Sequence, residues 1–112
     1  MIIKDTVTLE ELKQMATRLF GDLVKAVVDV DRELIAVNAE LHADLEALLL
    51  QDGSEQRHLW GINLYPEAPT DQFVEFDSVI NIRPSQANKS RRVEDEVLRR
   101  KITAIVAKRI PR

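Results

Sequence analysis

Between Phe73 and Arg92 the chain reads FVEFDSVINIRPSQANKSRR, and apolar and polar residues alternate there with period two until Pro84 interrupts them. Val74, Phe76, Ser78, Ile80 and Ile82 fall on one parity; Phe73, Glu75, Asp77, Val79, Asn81 and Arg83 fall on the other. Successive side chains of a strand point to opposite faces, so this pattern predicts a half-buried strand, with the rest of the chain organised around it. Pro84 offers no N–H to a ladder and biases Arg83 toward extended geometry, which ends the predicted strand there.

Ser85 to Arg92 supplies two hydroxyls, two side-chain amides and three cations immediately before a predicted helix. Backbone N–H groups at a helix start, joined by Lys and Arg, suit an anion cradle. The expected ligand-binding set is Asn81, Arg83, Ser85, Asn88, Lys89, Ser90, Arg91 and Arg92. A polar connection between strand and helix has the same composition for reasons of turn chemistry alone, and both readings stand.

Upstream, Thr8-Leu9-Glu10-Glu11 has the form of a capping box. Leu9, Leu12, Met15, Ala16, Leu19 and Phe20 then mark one apolar helical face, and Gly21 suits the left-handed position after the last turn. Asp22–Val30 partly alternates and is expected to turn at Asp31-Arg32-Glu33 into Leu34–Val37 as a hairpin. Asn38–Leu50 alternates too, yet Ala, Leu and Glu dominate it. The expectation is strand to about Leu41, then helix from about Ala43 to Gln51, closed by Asp52-Gly53. Trp60, Ile62 and Leu64 share a parity in the next strand, where Gly61 marks a bulge or a close backbone approach. Pro66–Asp71 turns that strand back into the Phe73 run. If the parities match, Asn63, Tyr65, Glu75, Asp77, Asn81 and Arg83 share one polar sheet face. A last helix is expected from about Val93 to Ile110, with Leu98, Ile102, Ile105, Val106 and Ile110 buried.

Glu40, His42 and Asp44 lie close together near the predicted strand–helix junction. Carboxylates and imidazole serve as metal ligands or as an acid/base pair, and Asp77 is a further candidate catalytic residue. In that reading Arg83 stabilises developing negative charge. No second histidine stands at a ligand spacing, so the donor count falls short of a closed metal set and no metal or cofactor is assigned.

The net charge of −3 conceals a marked asymmetry: from Arg83 onward ten Lys or Arg face three acids, and before it six face sixteen. That distribution can steer an anionic partner, including nucleic acid, or pair two copies of the chain, or neutralise itself internally. With no cysteine, thiolate chemistry and disulfides are excluded, and three glycines cannot make a Walker loop or a dinucleotide fingerprint. The start MIIKDTVT does not read as a signal peptide and no apolar run reaches spanning length, which sets the expectation of a cytoplasmic protein without membrane partners.

The blocks ELHADLEALLLQDGS, LWGINLYPE and EFDSVINIRPSQANKSRRVED resemble a family of short prokaryotic proteins known as a domain of unknown function. The resemblance covers almost the whole chain and implies a complete protein; it brings no activity or site residue with it. The expected architecture is a single α+β domain over residues 1–112, an antiparallel sheet of about four strands with helices mainly on one face. The leading functional expectation is binding of a phosphate-bearing ligand at residues 83–92. The alternatives are a small hydrolase using Glu40, His42 and Asp44, and an oligomerisation or protein-interaction unit.

Overall fold

The computed structural model describes all 112 residues. The chain opens with β1 (Ile2–Ile3) and α1 (Leu9–Leu19). Thr8 caps α1 as its sequence predicts: its hydroxyl oxygen accepts from the Glu11 N–H at 3.0 Å and the hydroxyl donates to Glu11 Oε1 at 3.2 Å. Gly21 follows α1 at φ +91°, a conformation open to glycine and strained for most other residues.

Strands β2 (Val24–Asp29) and β3 (Leu34–Val37) form the expected hairpin. Its turn is built on a buried carboxylate in place of an Asn-Gly pair. Asp29 Oδ1 accepts from the N–H groups of Asp31 (2.9 Å) and Arg32 (3.0 Å), while Oδ2 accepts from the Ser54 hydroxyl at 2.6 Å. Arg32 in turn donates to Ser54 Oγ and Asp52 Oδ2, tying the turn to the end of α2 (His42–Gln51). β3 stops at Val37, four residues before the expected end, because Asn38 takes φ 75° and turns the chain toward α2.

Strand β4 (Leu59–Leu64) pairs with β2 along its whole length, and β5 (Val74–Glu75) pairs with β4. The sheet has five antiparallel strands in the order β1-β3-β2-β4-β5, one more than expected because the short β1 pairs with β3. Helix α3 spans Glu96–Arg109. It starts three residues later than expected, since Asp95 accepts from the N–H groups of Val97 and Leu98 and fixes the first turn there.

Two helices lie on one face and one on the other. Leu12, Met15 and Ala16 of α1 and Ile102, Ile105 and Val106 of α3 pack with Val24, Ala26 and Val28 of β2, Ile35 and Val37 of β3, and Trp60, Ile62 and Leu64 of β4. Leu45 and Leu49 of α2 cover Val27, Leu34, Ala36 and Leu59 on the opposite face. Each of the large side chains buried in these layers contributes about 1.5–3 kcal/mol by removal from water. No helix is long and apolar enough to cross a membrane.

The stretch from Phe73 to Arg83 departs most from its sequence pattern. Only Val74 and Glu75 are strand; Val79–Asn81 and Pro84–Gln86 are single 3₁₀ turns. Val79 and Ile82 are exposed, whereas Asn81 is completely buried. The reason lies in β4. Gly61 approaches Ser78 so closely that a Cβ at position 61 would stand 2.5 Å from Ser78 Cβ, and the segment rides over the sheet instead of extending it. The edge of β4 that a longer β5 would have paired is satisfied by the Asn81 side chain, which accepts from the Gly61 N–H at 2.8 Å and donates to the Gly61 C=O at 2.9 Å.

Candidate functional site

Residues 83–94 are wound around one buried amide. Arg83 and Asn88 exchange backbone hydrogen bonds (2.8 and 3.2 Å), closing a small loop in which Ala87 takes φ 59°. The Asn88 Nδ2 group donates to the C=O of Asn81 (2.7 Å), Ser90 (3.1 Å) and Arg92 (2.7 Å), and Oδ1 accepts from the Glu94 N–H at 2.9 Å. This winding turns three donors onto a single point. The Lys89 N–H, the Ser90 N–H and the Ser90 hydroxyl meet Glu94 Oε2 at 2.7, 2.8 and 2.9 Å. The three donors form a small cradle, and the carboxylate of Glu94 lies in it. The Ser90 hydroxyl, followed by the two backbone N–H groups, holds the exposed Glu94 carboxyl below its ordinary 4.5.

The sequence-predicted ligand set divides by what each side chain already touches. Asn81 and Asn88 are buried and consumed by the backbone they support. Arg83 lies with its guanidinium 4.0 Å from the Trp60 ring centroid and donates to the C=O groups of Gln56 and Leu59, the latter at 2.6 Å. It fastens the fold and is turned away from any free ligand. Arg91 makes a two-point contact with Asp77, Nε to Oδ1 at 2.8 Å and Nη2 to Oδ2 at 3.3 Å. Ser90 serves the cradle. The side chains of Ser85, Lys89 and Arg92 are exposed and make no ion pair. An open cleft of about 670 Å³ runs between Val74–Asp77 and Ser90–Arg92.

A family model matches residues 1–109. The chain belongs to DUF5674, a family of proteins of unknown function. Searches of curated proteins and of solved structures each found no match. The chemistry of this DUF5674 chain therefore rests on its own geometry.

His42 is the first residue of α2 and turns inward, its Nε2 2.8 Å from the Ile62 C=O. With a carbonyl as partner Nε2 carries the hydrogen, which leaves Nδ1 as the lone-pair nitrogen of a neutral ring. Burial pushes the His42 pKa below its ordinary 6.5, against the raising effect of that hydrogen bond; the charges of Lys25, Asp77 and Arg91 also reach the ring. Glu40 and Asp44 are exposed and their side chains make no hydrogen bond or ion pair, so the sequence triad does not converge. No three His or carboxylate side chains come close enough together to hold a metal ion. The cations that reach His42 are Lys25 and Arg91, the latter paired with Asp77, and not Arg83.

The expected polar sheet face is present in part. Asn63 donates to Glu75 Oε1 (2.9 Å) and to the Asp77 C=O (3.3 Å), and the Tyr65 hydroxyl donates to the same Glu75 oxygen at 3.1 Å. Burial, then the Glu75 carboxylate, raises the Tyr65 pKa. Sequence reasoning missed Glu94 as part of the site, because an acid in that position also complements a helix dipole. The available signal was its place four residues beyond Ser90, within reach of the loop it closes.

Proposed function

We propose that this protein binds a phosphate-bearing ligand at the 83–92 loop, with Glu94 as the internal anion that the ligand displaces. One observation carries the reading: three donors from adjacent residues converge within 2.9 Å on one oxygen. Backbone N–H groups arranged in this way favour any oxyanion, and a phosphate oxygen has the same demands as a carboxylate. Glu94 is exposed, so its departure requires no opening of the core. Lys89 and Arg92 are exposed beside the cradle and supply unpaired positive charge; Arg suits two-point phosphate contact. The basic balance of residues 83–112 adds long-range attraction. A nucleotide or nucleic-acid phosphate in the cytoplasm is the ligand class this reading points to.

The test is titration of isotope-labelled protein with inorganic phosphate and with ADP at low salt, comparing wild type with Glu94→Ala. Removal of the internal competitor is expected to tighten binding at least tenfold, with the Lys89 and Ser90 amide signals shifting. Added salt is expected to weaken it, as for any contact made largely by charge. If neither protein shows a shift at Lys89 or Ser90 in millimolar phosphate or ADP, the reading fails.

A further inference from the structure

We propose that the groove between β5 and α3 is a docking site for an extended acidic peptide segment, which adds a sixth strand to the sheet at β5. The strand order leaves β5 outermost. Its ladder with β4 alternates in the antiparallel manner: the Tyr65 N–H donates to the Phe73 C=O at 2.9 Å, and Asn63 stands opposite Glu75. Leu64 and Val74 form the non-hydrogen-bonded pair between these two, so the N–H and C=O of Val74 point away from β4. Phe76 has the same parity. No hydrogen bond outside the β4–β5 ladder uses the N–H or C=O of either residue, and both residues are partly exposed. Four unpaired backbone groups at a spacing of two residues are the pattern by which a sheet edge accepts another strand.

A groove lies beyond this edge. The 670 Å³ cleft beside Ser90–Arg92 shares Phe76 with a second cleft of about 550 Å³ along α3, and Val74 with an apolar one of about 210 Å³ near Phe73. Thr103 and Ala107 line both of the α3 clefts, and their small side chains leave the space between the helix and the edge unfilled. Alternate side chains of an added strand would enter these clefts, while its backbone would pair with Val74 and Phe76.

Charge selects the occupant. The three linings hold Arg91, Arg92, Arg99, Arg100 and Arg112 against Glu75, Asp77 and Glu96. Arg91 and Arg100 are paired with Asp77 and Glu96, which leaves Arg92, Arg99 and Arg112 without a carboxylate partner. A second copy of this chain fits poorly, because antiparallel self-pairing that uses both amides sets Glu75 opposite Glu75, and like charges directly opposed are unfavourable. The docking site shares Arg92 and the Ser90 side of its cleft with the phosphate reading, but it does not use the cradle donors of Lys89 and Ser90, which face Glu94.

The experiment uses eight-residue peptides alternating Val or Thr with Glu, added to labelled full-length protein. Binding is expected to slow amide exchange of Val74 and Phe76 at least tenfold. The same peptides with Lys in place of Glu, or N-methylated at alternate positions, are expected to bind at least tenfold more weakly. Thr103→Trp, on the exposed side of α3, is expected to block the groove while thermal unfolding stays within a few degrees of wild type. No protection of Val74 and Phe76 at millimolar acidic peptide overturns the proposal. Equal binding of the Lys peptides overturns the charge assignment, and a concentration-dependent dimer that alone protects these amides makes a second copy the occupant.

Discussion

The side-chain amide of Asn81 pairs with both the N–H and the C=O of Gly61, at 2.8 and 2.9 Å, and so stands in for the peptide group of a strand that is not there. Its Nδ2 also reaches the Arg91 C=O at 3.0 Å, joining the sheet edge to the loop that carries the cradle. Asn81→Ala leaves two buried backbone groups of Gly61 unpaired. Unsatisfied buried polar groups cost about 1–3 kcal/mol each, so a loss of about 3 kcal/mol is expected in urea unfolding. A loss below about 1 kcal/mol would mean that water replaces the amide and that the pairing is dispensable.

Gly61→Ala tests the same approach from the other side. The added Cβ would lie 2.5 Å from Ser78 Cβ and 2.6 Å from Ser78 Oγ, and the Ser78 Cβ is fixed to backbone. The 78–81 turn must lift from the sheet, which strains the Asn81 pairing as well. Destabilisation is expected to exceed the roughly 1 kcal/mol typical of point substitutions, and Gly61→Ala combined with Asn81→Ala is expected to cost less than the two singly added. Strict additivity in that cycle would show that the two residues do not act through one contact.

The Asp29 carboxylate is completely buried and satisfied by two turn N–H groups and the Ser54 hydroxyl. Ser54→Ala removes the 2.6 Å donor and leaves Arg32 with Asp52 as its only side-chain partner. The expected cost is about 1.5–3 kcal/mol, the range for a hydrogen bond to a charged group, and Ser54→Thr is expected to recover most of it if the hydroxyl keeps its place. Equal losses for Ala and Thr would assign the effect to packing.

These contacts show which parts of the chain were legible as sequence. Local periodicity placed α1 and the buried stripe of α3 because Leu12, Met15, Ile102 and Val106 repeat at helical spacing and the burial follows it. Gly61 was legible as a close approach, though not what approaches it. Residues 76–83 were misread because their alternation is genuine in composition but is overruled by a pairing across twenty residues, Asn81 with Gly61. The same limit applies to the site. Residue types in the 85–92 loop marked it as rich in donors, whereas their convergence on Glu94 and the diversion of Arg83 to Trp60 depend on tertiary contacts that no local pattern encodes.

His42 gives a pH-dependent prediction. Burial lowers its folded-state pKa below the ordinary 6.5, so the folded protein disfavours the charged ring relative to the unfolded chain. The stabilisation is complete above about pH 6.5 and is lost as pH falls through the lower folded value. Nuclear magnetic resonance titration of the ring is expected to give a pKa below 6.5. His42→Gln, which keeps a donor for the Ile62 C=O, is expected to flatten the decline in stability as pH falls below about 6.5. A ring that titrates at or above the ordinary value would contradict the buried neutral assignment.

Glu94 titrates in the opposite sense. The Ser90 hydroxyl and the Lys89 and Ser90 N–H groups favour its charged form, so the folded pKa lies below 4.5 and loop closure is present above that value. As pH falls through the folded pKa, the protonated carboxyl loses its claim on three donors and the cradle empties. Ser90→Ala removes the largest of these effects and is expected to move the Glu94 pKa back toward 4.5, with faster amide exchange at Lys89 and Ser90. The readout is carboxyl-carbon chemical shift against pH. If Ser90→Ala leaves the Glu94 titration unchanged, the hydroxyl does not hold the carboxylate, and the cradle's capacity for an outside anion rests on the two backbone groups alone.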